Sequence, residues 1–201
     1  MSENTTAPVT IVGKTAPNFA GDAVINGDIK NISLADFKGK WKVLFFYPLD
    51  FTFVCPTEIT AFSDKIEAFK KLNCEVIGCS VDSAFSHLAW TQQPRNKGGL
   101  GEIKFPLLSD LTKKVATDYG CLMDGAVAFR ATYVIDDKDV VQHASINNLS
   151  VGRNVDEYAR LVEAYQYTAK HGEVCPAGWN NGADTMKPDP KGSQEYFNKL
   201  K

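Results

Sequence analysis

The sequence predicts an α/β fold built on a partly parallel central sheet. Three features carry that reading: a continuous apolar run at residues 41–47, a helical apolar pattern after Pro56, and a second continuous apolar run at residues 75–81. Short runs without polar alternation are how strands covered on both faces read. A helix between two of them makes a βαβ unit.

The first run ends at Pro48, which has no amide proton to continue a ladder. From Pro56 onward, Ile59, Phe62, Ile66 and Phe69 recur three or four residues apart and share one helical face. Pro56 suits the first helical position, where its missing N–H costs nothing. After the second strand, Ser83 starts a helix carrying Phe85, Leu88 and Ala89, and Ser109-Asp110 opens another that runs to Asp118. Residues 131–135 and 140–146 flank Asp136-Asp137-Lys138-Asp139 and predict a β-hairpin. Asn154 then caps a long amphipathic helix with Val155, Tyr158, Leu161, Val162 and Tyr165 on one face, ended by His171-Gly172.

The last thirty residues differ in kind. Pro176, Pro188 and Pro190, with Gly172, Gly178 and Gly182, give residues 172–191 the composition of an extended arm, followed by a short helix around residues 194–200. Trp179 lies in that arm and is costly to expose, so a surface outside the core is expected to cover it. The organisation is therefore one domain, residues 6–165, and a C-terminal arm, residues 166–201, without internal repeats.

At 201 residues the chain can bury a sizeable core, and 44% apolar with 23% charged residues is an ordinary globular composition. A net charge of −2 without a dense Lys/Arg block gives no basis for a nucleic-acid partner. No apolar run approaches the roughly 18 residues of a membrane helix. The opening Met1-Ser2-Glu3-Asn4-Thr5-Thr6 lacks the basic-then-apolar layout of a signal peptide. The expectation is a soluble cytoplasmic protein. Five cysteines, Cys55, Cys74, Cys79, Cys121 and Cys175, are too few for a disulfide scaffold and include no C-x-x-C pair. A general thiol–disulfide oxidoreductase is disfavoured for that reason. His87, His143 and His171 show no metal spacing, and no Gly-rich cofactor fingerprint is present, so neither metal nor cofactor is expected.

Cys55 stands out because it follows an apolar strand and begins a helix. Free cysteine is ordinarily a small buried hydrophobe, but a helix N-terminus offers partial positive charge and unsatisfied N–H groups to a thiolate. Ionisation alone is not enough. A thiol near pKa 8.5 is about 3% thiolate at pH 7, and lowering the pKa to ~6 gains only ~30-fold, against the ~10⁶-fold common for enzymes. Donors that hold a leaving oxygen and stabilise charge must supply the rest. Thr52, three residues before Cys55, is the nearest hydroxyl that could supply such a donor, and it is equally suited to a turn. Arg130 is the best fixed positive charge, although an arginine is more often solvated. Glu58, one turn after Cys55, can orient an arginine through a bidentate pair or simply complement the helix dipole. Cys74, Cys79 and Cys121 read as dispensable thiols.

Two segments resemble a known family. Pro48-Leu49-Asp50-Phe51-Thr52-Phe53-Val54-Cys55-Pro56-Thr57-Glu58 is similar to the peroxidatic-cysteine motif of the typical two-cysteine peroxiredoxins. His171-Gly172-Glu173-Val174-Cys175-Pro176-Ala177-Gly178-Trp179 resembles their resolving-cysteine segment, and the likeness extends through Ser80-Val81-Asp82-Ser83, Ala128-Phe129-Arg130 and Val151-Gly152-Arg153. The resemblance implies a thioredoxin-like fold and reduction of hydroperoxides. Cys55 would be the nucleophile, Pro48 would shield the pocket, Thr52 would bond the peroxide, Arg130 would stabilise charge, and Glu58 and Arg153 would support it. Cys175 would resolve the Cys55 sulfenic acid to a disulfide, which a thioredoxin-like reductant would reduce. By the same resemblance Cys175 comes from the partner subunit of an antiparallel homodimer, which would also cover Trp179, and five dimers form a decamer ring. A disulfide needs Cα atoms within about 7 Å, so a helix-held Cys55 must partly unwind to meet Cys175. Gly98-Gly99-Leu100-Gly101 and Tyr196-Phe197 match motifs the family associates with sensitivity to overoxidation, though each alone reads as a surface loop and a helix face. A chaperone or peroxide-signalling scaffold using the same cysteine is the alternative.

Overall fold

The computed structural model describes residues 10–200. The expected domain start at residues 6–9, the opening segment 1–6 and residue 201 lie outside the described residues. The chain runs β1 (Ala20–Ile25), β2 (Asp28–Ser33), β3 (Trp41–Phe46), α1 (Cys55–Asp64), α2 (Ile66–Lys71), β4 (Cys74–Ser80), α3 (Ala84–Thr91), β5 (Leu107–Ser109), α4 (Lys114–Asp118), β6 (Leu122–Met123), β7 (Val127–Ala128), β8 (Arg130–Ile135), β9 (Val141–Asn147), α5 (Val155–His171) and α6 (Ser193–Phe197). Seven strands form one mixed sheet in the order β2-β1-β5-β4-β3-β8-β9. β3 pairs in parallel with β4 from Trp41↔Cys74 to Phe46↔Cys79 and antiparallel with β8.

The two apolar runs become the centre of the sheet because both faces are covered. Every residue of β3 is buried. Val43, Phe45 and Tyr47 enter one core with α1, α2, α3 and α5, while Leu44 and Phe46 enter a second with α4 on the opposite face. That two-residue alternation is the strand period feeding two cores at once. Gly78 on β4 is closely packed against the first of these cores, where an added Cβ would meet Leu107 and Phe45 at 2.9 Å each. The hairpin of β8 and β9 and the long helix α5 form as expected. The Asn154 side chain accepts from the Asp156 amide, and Gly172 closes α5 at φ 68°.

The elements depart from the sequence reading at several points. The helix after Cys55 is two helices, broken at Lys65, although Ile59, Phe62, Ile66 and Phe69 share one core. Cys55, not Pro56, takes the first helical position. On α3 the buried face is Ala84, His87 and Trp90, with Leu88 packed against the same core, whereas Phe85 is exposed. α4 begins only at Lys114, since Lys113 adopts φ 62° and Asp110 instead accepts from the Val115 and Ala116 amides. Trp179 is covered by its own chain: it is 2% exposed, its ring lies 5.2 Å from that of Tyr167 on α5, and Arg160 donates to its carbonyl. α5 continues past residue 165 to His171.

Candidate active site

Cys55 sits in the first turn of α1 with its side chain fully buried. Glu58, three residues on, faces the same way, as helical spacing requires. Arg130, at the start of β8, reaches both: its Nη1 lies 3.3 Å from Cys55 Sγ and 2.8 Å from Glu58 Oε2, while its Nε donates to the Leu149 carbonyl at 2.7 Å. Only 4% of Arg130 is exposed, which removes the solvated-arginine reading.

Arg153 completes the cluster from the turn before α5. Its backbone N and Nε donate to Glu58 Oε1 at 2.9 Å each, and its Nη2 donates to Oε2 at 2.8 Å. Its Nη1 donates to the Phe46 and Ala131 carbonyls at 2.8 Å each, where β3 and β8 have run past their paired register. The Arg153 guanidinium also stands 5.0 Å from the Phe45 ring centroid. Arg153 thus ties the helix that carries Cys55 to the ends of two central strands. Two guanidinium groups share one carboxylate here, and the Arg130 guanidinium also stands beside the Cys55 sulfur. An arginine N–H aimed at that point is also placed to stabilise charge on a small oxygen electrophile.

The other expected residues stand apart from this cluster. The Thr52 hydroxyl donates to the Leu49 carbonyl at 2.9 Å, a bond within the loop rather than toward the sulfur. Pro48 is buried at the end of the strand that leads into the loop. Cys175 lies in the arm against α5, half-buried, with Sγ 3.7 Å from the Ala164 carbonyl, beside a cavity of about 350 Å³ lined by Arg160, Tyr165 and Pro176. Burial raises its thiol pKa, an effect partly offset by the charge of Arg160. Both Cys55 and Cys175 are free thiols. Burial also pushes up the thiols of Cys74 and Cys79, and that of Cys121 to about 12, which suits inert packing. Among the described residues no group of three His, Cys, Asp or Glu side chains could hold a metal.

Gly98-Gly99-Leu100-Gly101 is packed rather than loose. Leu100 is fully buried, the Gly98 carbonyl accepts from the Trp90 indole at 2.8 Å, and an added Cβ at Gly99 would strike the Gln93 backbone. Sequence reasoning missed one buried set, Tyr47, Asp50 and His87, which lies in and beneath the loop before Cys55. The available signal was His87, set three residues from both Ala84 and Trp90 on α3.

The AhpC/TSA family matches residues 12–144, and the C-terminal domain of 1-Cys peroxiredoxin matches residues 164–199. Peroxiredoxin-2 of Bos taurus is 59% identical over 189 residues, covering 94% of this chain and 95% of its own. Peroxiredoxin-1 of Gallus gallus is 56% identical over 192 residues, covering 94% and 96%. The reduced 2-Cys peroxiredoxin of Plasmodium vivax superposes with a TM-score of 0.93 at 47% identity, covering 94% of this chain and 100% of its own. AhpC of Enterococcus faecalis gives 0.79 at 35% identity, covering 84% and 100%.

Proposed function

This chain belongs to the AhpC/TSA family, with a thioredoxin-like fold and the function of a thiol peroxidase, and we propose from that premise that Cys55 is its peroxidatic nucleophile and Cys175 its resolving thiol. The Cys55 thiolate attacks the terminal oxygen of ROOH, the O–O bond breaks, and the alcohol or water leaves with a proton. Cys55 becomes a sulfenic acid. Cys175 then condenses with it, releasing water and forming a disulfide. Two electrons and two protons from a dithiol reductant restore both thiols.

The observation that carries this reading is the buried Arg130 guanidinium, 3.3 Å from Cys55 Sγ and fixed there by Glu58. Arg153 acts through Glu58, Pro48 shields the pocket, and Thr52 serves the peroxide through a hydroxyl that also holds the loop turn. Residues 166–201 serve as the arm that presents Cys175. The reductant is thioredoxin-like, the disulfide joins two subunits, and the homodimers assemble into a decamer in the cytoplasm. Among the described residues no helix is long and apolar enough to cross a membrane. The likeness to peroxiredoxins favours the peroxidase over a chaperone or signalling scaffold.

The test is peroxide consumption with a thioredoxin system, read beside non-reducing gels. Wild type turns over and forms a covalent dimer after peroxide, whereas Cys55→Ser does neither. Turnover in Cys55→Ser, or a wild type that stays monomeric on the gel, would overturn the assignment.

A further inference from the structure

Residues 48–54 connect β3 to α1 and carry the chain into Cys55. One buried set holds this loop down. The Tyr47 hydroxyl donates to Asp50 Oδ1 at 2.9 Å, and His87 Nδ1 lies 2.8 Å from Asp50 Oδ2. His87 Nε2 faces the Leu108 carbonyl at 3.3 Å, so the ring is fixed from both sides. The Asp50 amide donates to Asp82 Oδ2 at 2.9 Å, and Ser80 Oγ donates to that same oxygen at 2.7 Å. Tyr47 and His87 are fully buried, and 7% of Asp50 is exposed. Burial and then the Asp50 charge push the Tyr47 phenol well up, which keeps it a donor.

The next residue pulls the other way. Phe51 adopts φ 54°, a left-handed backbone that a bulky L-residue occupies only under constraint. Its ring is half exposed and lies 5.6 Å from that of Trp90. The loop therefore sets strain at Phe51 against the buried anchor at Asp50.

We propose that Tyr47, Asp50 and His87 form a latch that sets how readily the loop and the first turn of α1 unwind, and so divides the Cys55 sulfenic acid between two fates. This rests on the roles given above to Cys55 and Cys175. While the latch is closed, the sulfenic acid is held in the peroxide pocket. A second ROOH there oxidises it to sulfinic acid, the O–O bond breaking and ROH leaving. When the latch opens, the sulfenic acid reaches Cys175 and forms the disulfide with loss of water. The three residues position the loop and act on the sulfur only through it.

The test measures three quantities after hydrogen peroxide is mixed with the full chain: the rate of the first peroxide step, the rate of disulfide formation, and the sulfinic acid fraction by mass spectrometry. Removing one buried hydrogen bond in Tyr47→Phe should raise the disulfide-to-sulfinic ratio by about three- to tenfold, with the first step changed less than twofold. Asp50→Asn should move the ratio the same way. Tyr119→Phe loses a comparable hydroxyl bond, to the Pro17 carbonyl, and should leave the ratio at the wild-type value. An unchanged ratio in Tyr47→Phe, or an equal change in Tyr119→Phe, would overturn the latch. Hydrogen exchange on the wild type gives a second reading that needs no variant: the Asp50 and Thr57 amides should open as one unit, and independent opening counts against it. Absence of any Cys55–Cys175 disulfide in wild type would instead strike the catalytic assignment.

Discussion

The surroundings of Cys55 and Cys175 are built to opposite rules. Around Cys55, Glu58 accepts four hydrogen bonds from Arg130 and Arg153, and Arg153 in turn grips two strand ends. Around Cys175 the sulfur itself makes one weak contact, to the Ala164 carbonyl, and borders a cavity, while its arm is held at Trp179 by Arg160 and at Val174 by a bridge to Met186. A cysteine that must meet peroxide in one geometry benefits from over-determined neighbours. A cysteine that must meet a distant sulfur benefits from slack. On the roles proposed for the two cysteines, the dense network at Cys55 and the sparsely bonded sulfur of Cys175 are two halves of one requirement.

The sharpest way to break that contrast is at the dense end. Arg130→Gln leaves Cys55 in place but removes the guanidinium beside it, and the peroxide step should slow by about 10²- to 10³-fold. Stopped-flow rates close to wild type would show the cluster to be structural only. Glu58→Gln tests the same network through stability: it strands two buried arginines, so unfolding should become easier by about 3–5 kcal/mol in denaturant titration.

At the loose end, pH separates the two cysteines. Burial raises the Cys175 pKa above its ordinary value, so at neutral pH the thiol is protonated and its reactive thiolate is scarce. Disulfide formation should therefore accelerate with pH, by up to about tenfold per unit below that pKa. Quenched-flow rates of disulfide formation that stay flat from about pH 7 to 8.5 would contradict this. A smaller effect is expected from the end of the arm. α6 is tied back to the arm by Lys199 and Asp184 at 3.0 Å, and its Tyr196 and Phe197 rings pack edge to face. Deleting the residues after Lys191 should loosen the arm and lower the sulfinic acid yield about threefold, the scale of one modest contact. An unchanged yield by mass spectrometry would detach α6 from the comparison.

The same contrast governs what could be read in the sequence. β3 and β4 were legible because strands buried on both faces leave unbroken apolar runs, and α5 because Asn154 and Gly172 mark its ends. The position of Cys55 was legible for a local reason, a strand feeding a helix. Long-range contacts were not. Arg153 is 95 residues from Glu58, and only the fold brings its backbone and side chain onto that carboxylate. Trp179 looked uncovered because composition marks an arm but does not say where the arm folds back. His87 was hidden by its type: a polar residue gives an apolar pattern no sign that it lies on the buried face of α3.

The division of labour between the two cysteines is tested most directly by mixing Cys175→Ser with one equivalent of hydrogen peroxide and following the first turnover. The peroxide step should stay within about twofold of wild type, since the altered residue lies outside the Arg130–Glu58–Arg153 cluster. One sulfenic acid should then accumulate on Cys55, with no covalent dimer on a non-reducing gel. A first step slowed a hundredfold, or a covalent dimer that persists without Cys175, would contradict it.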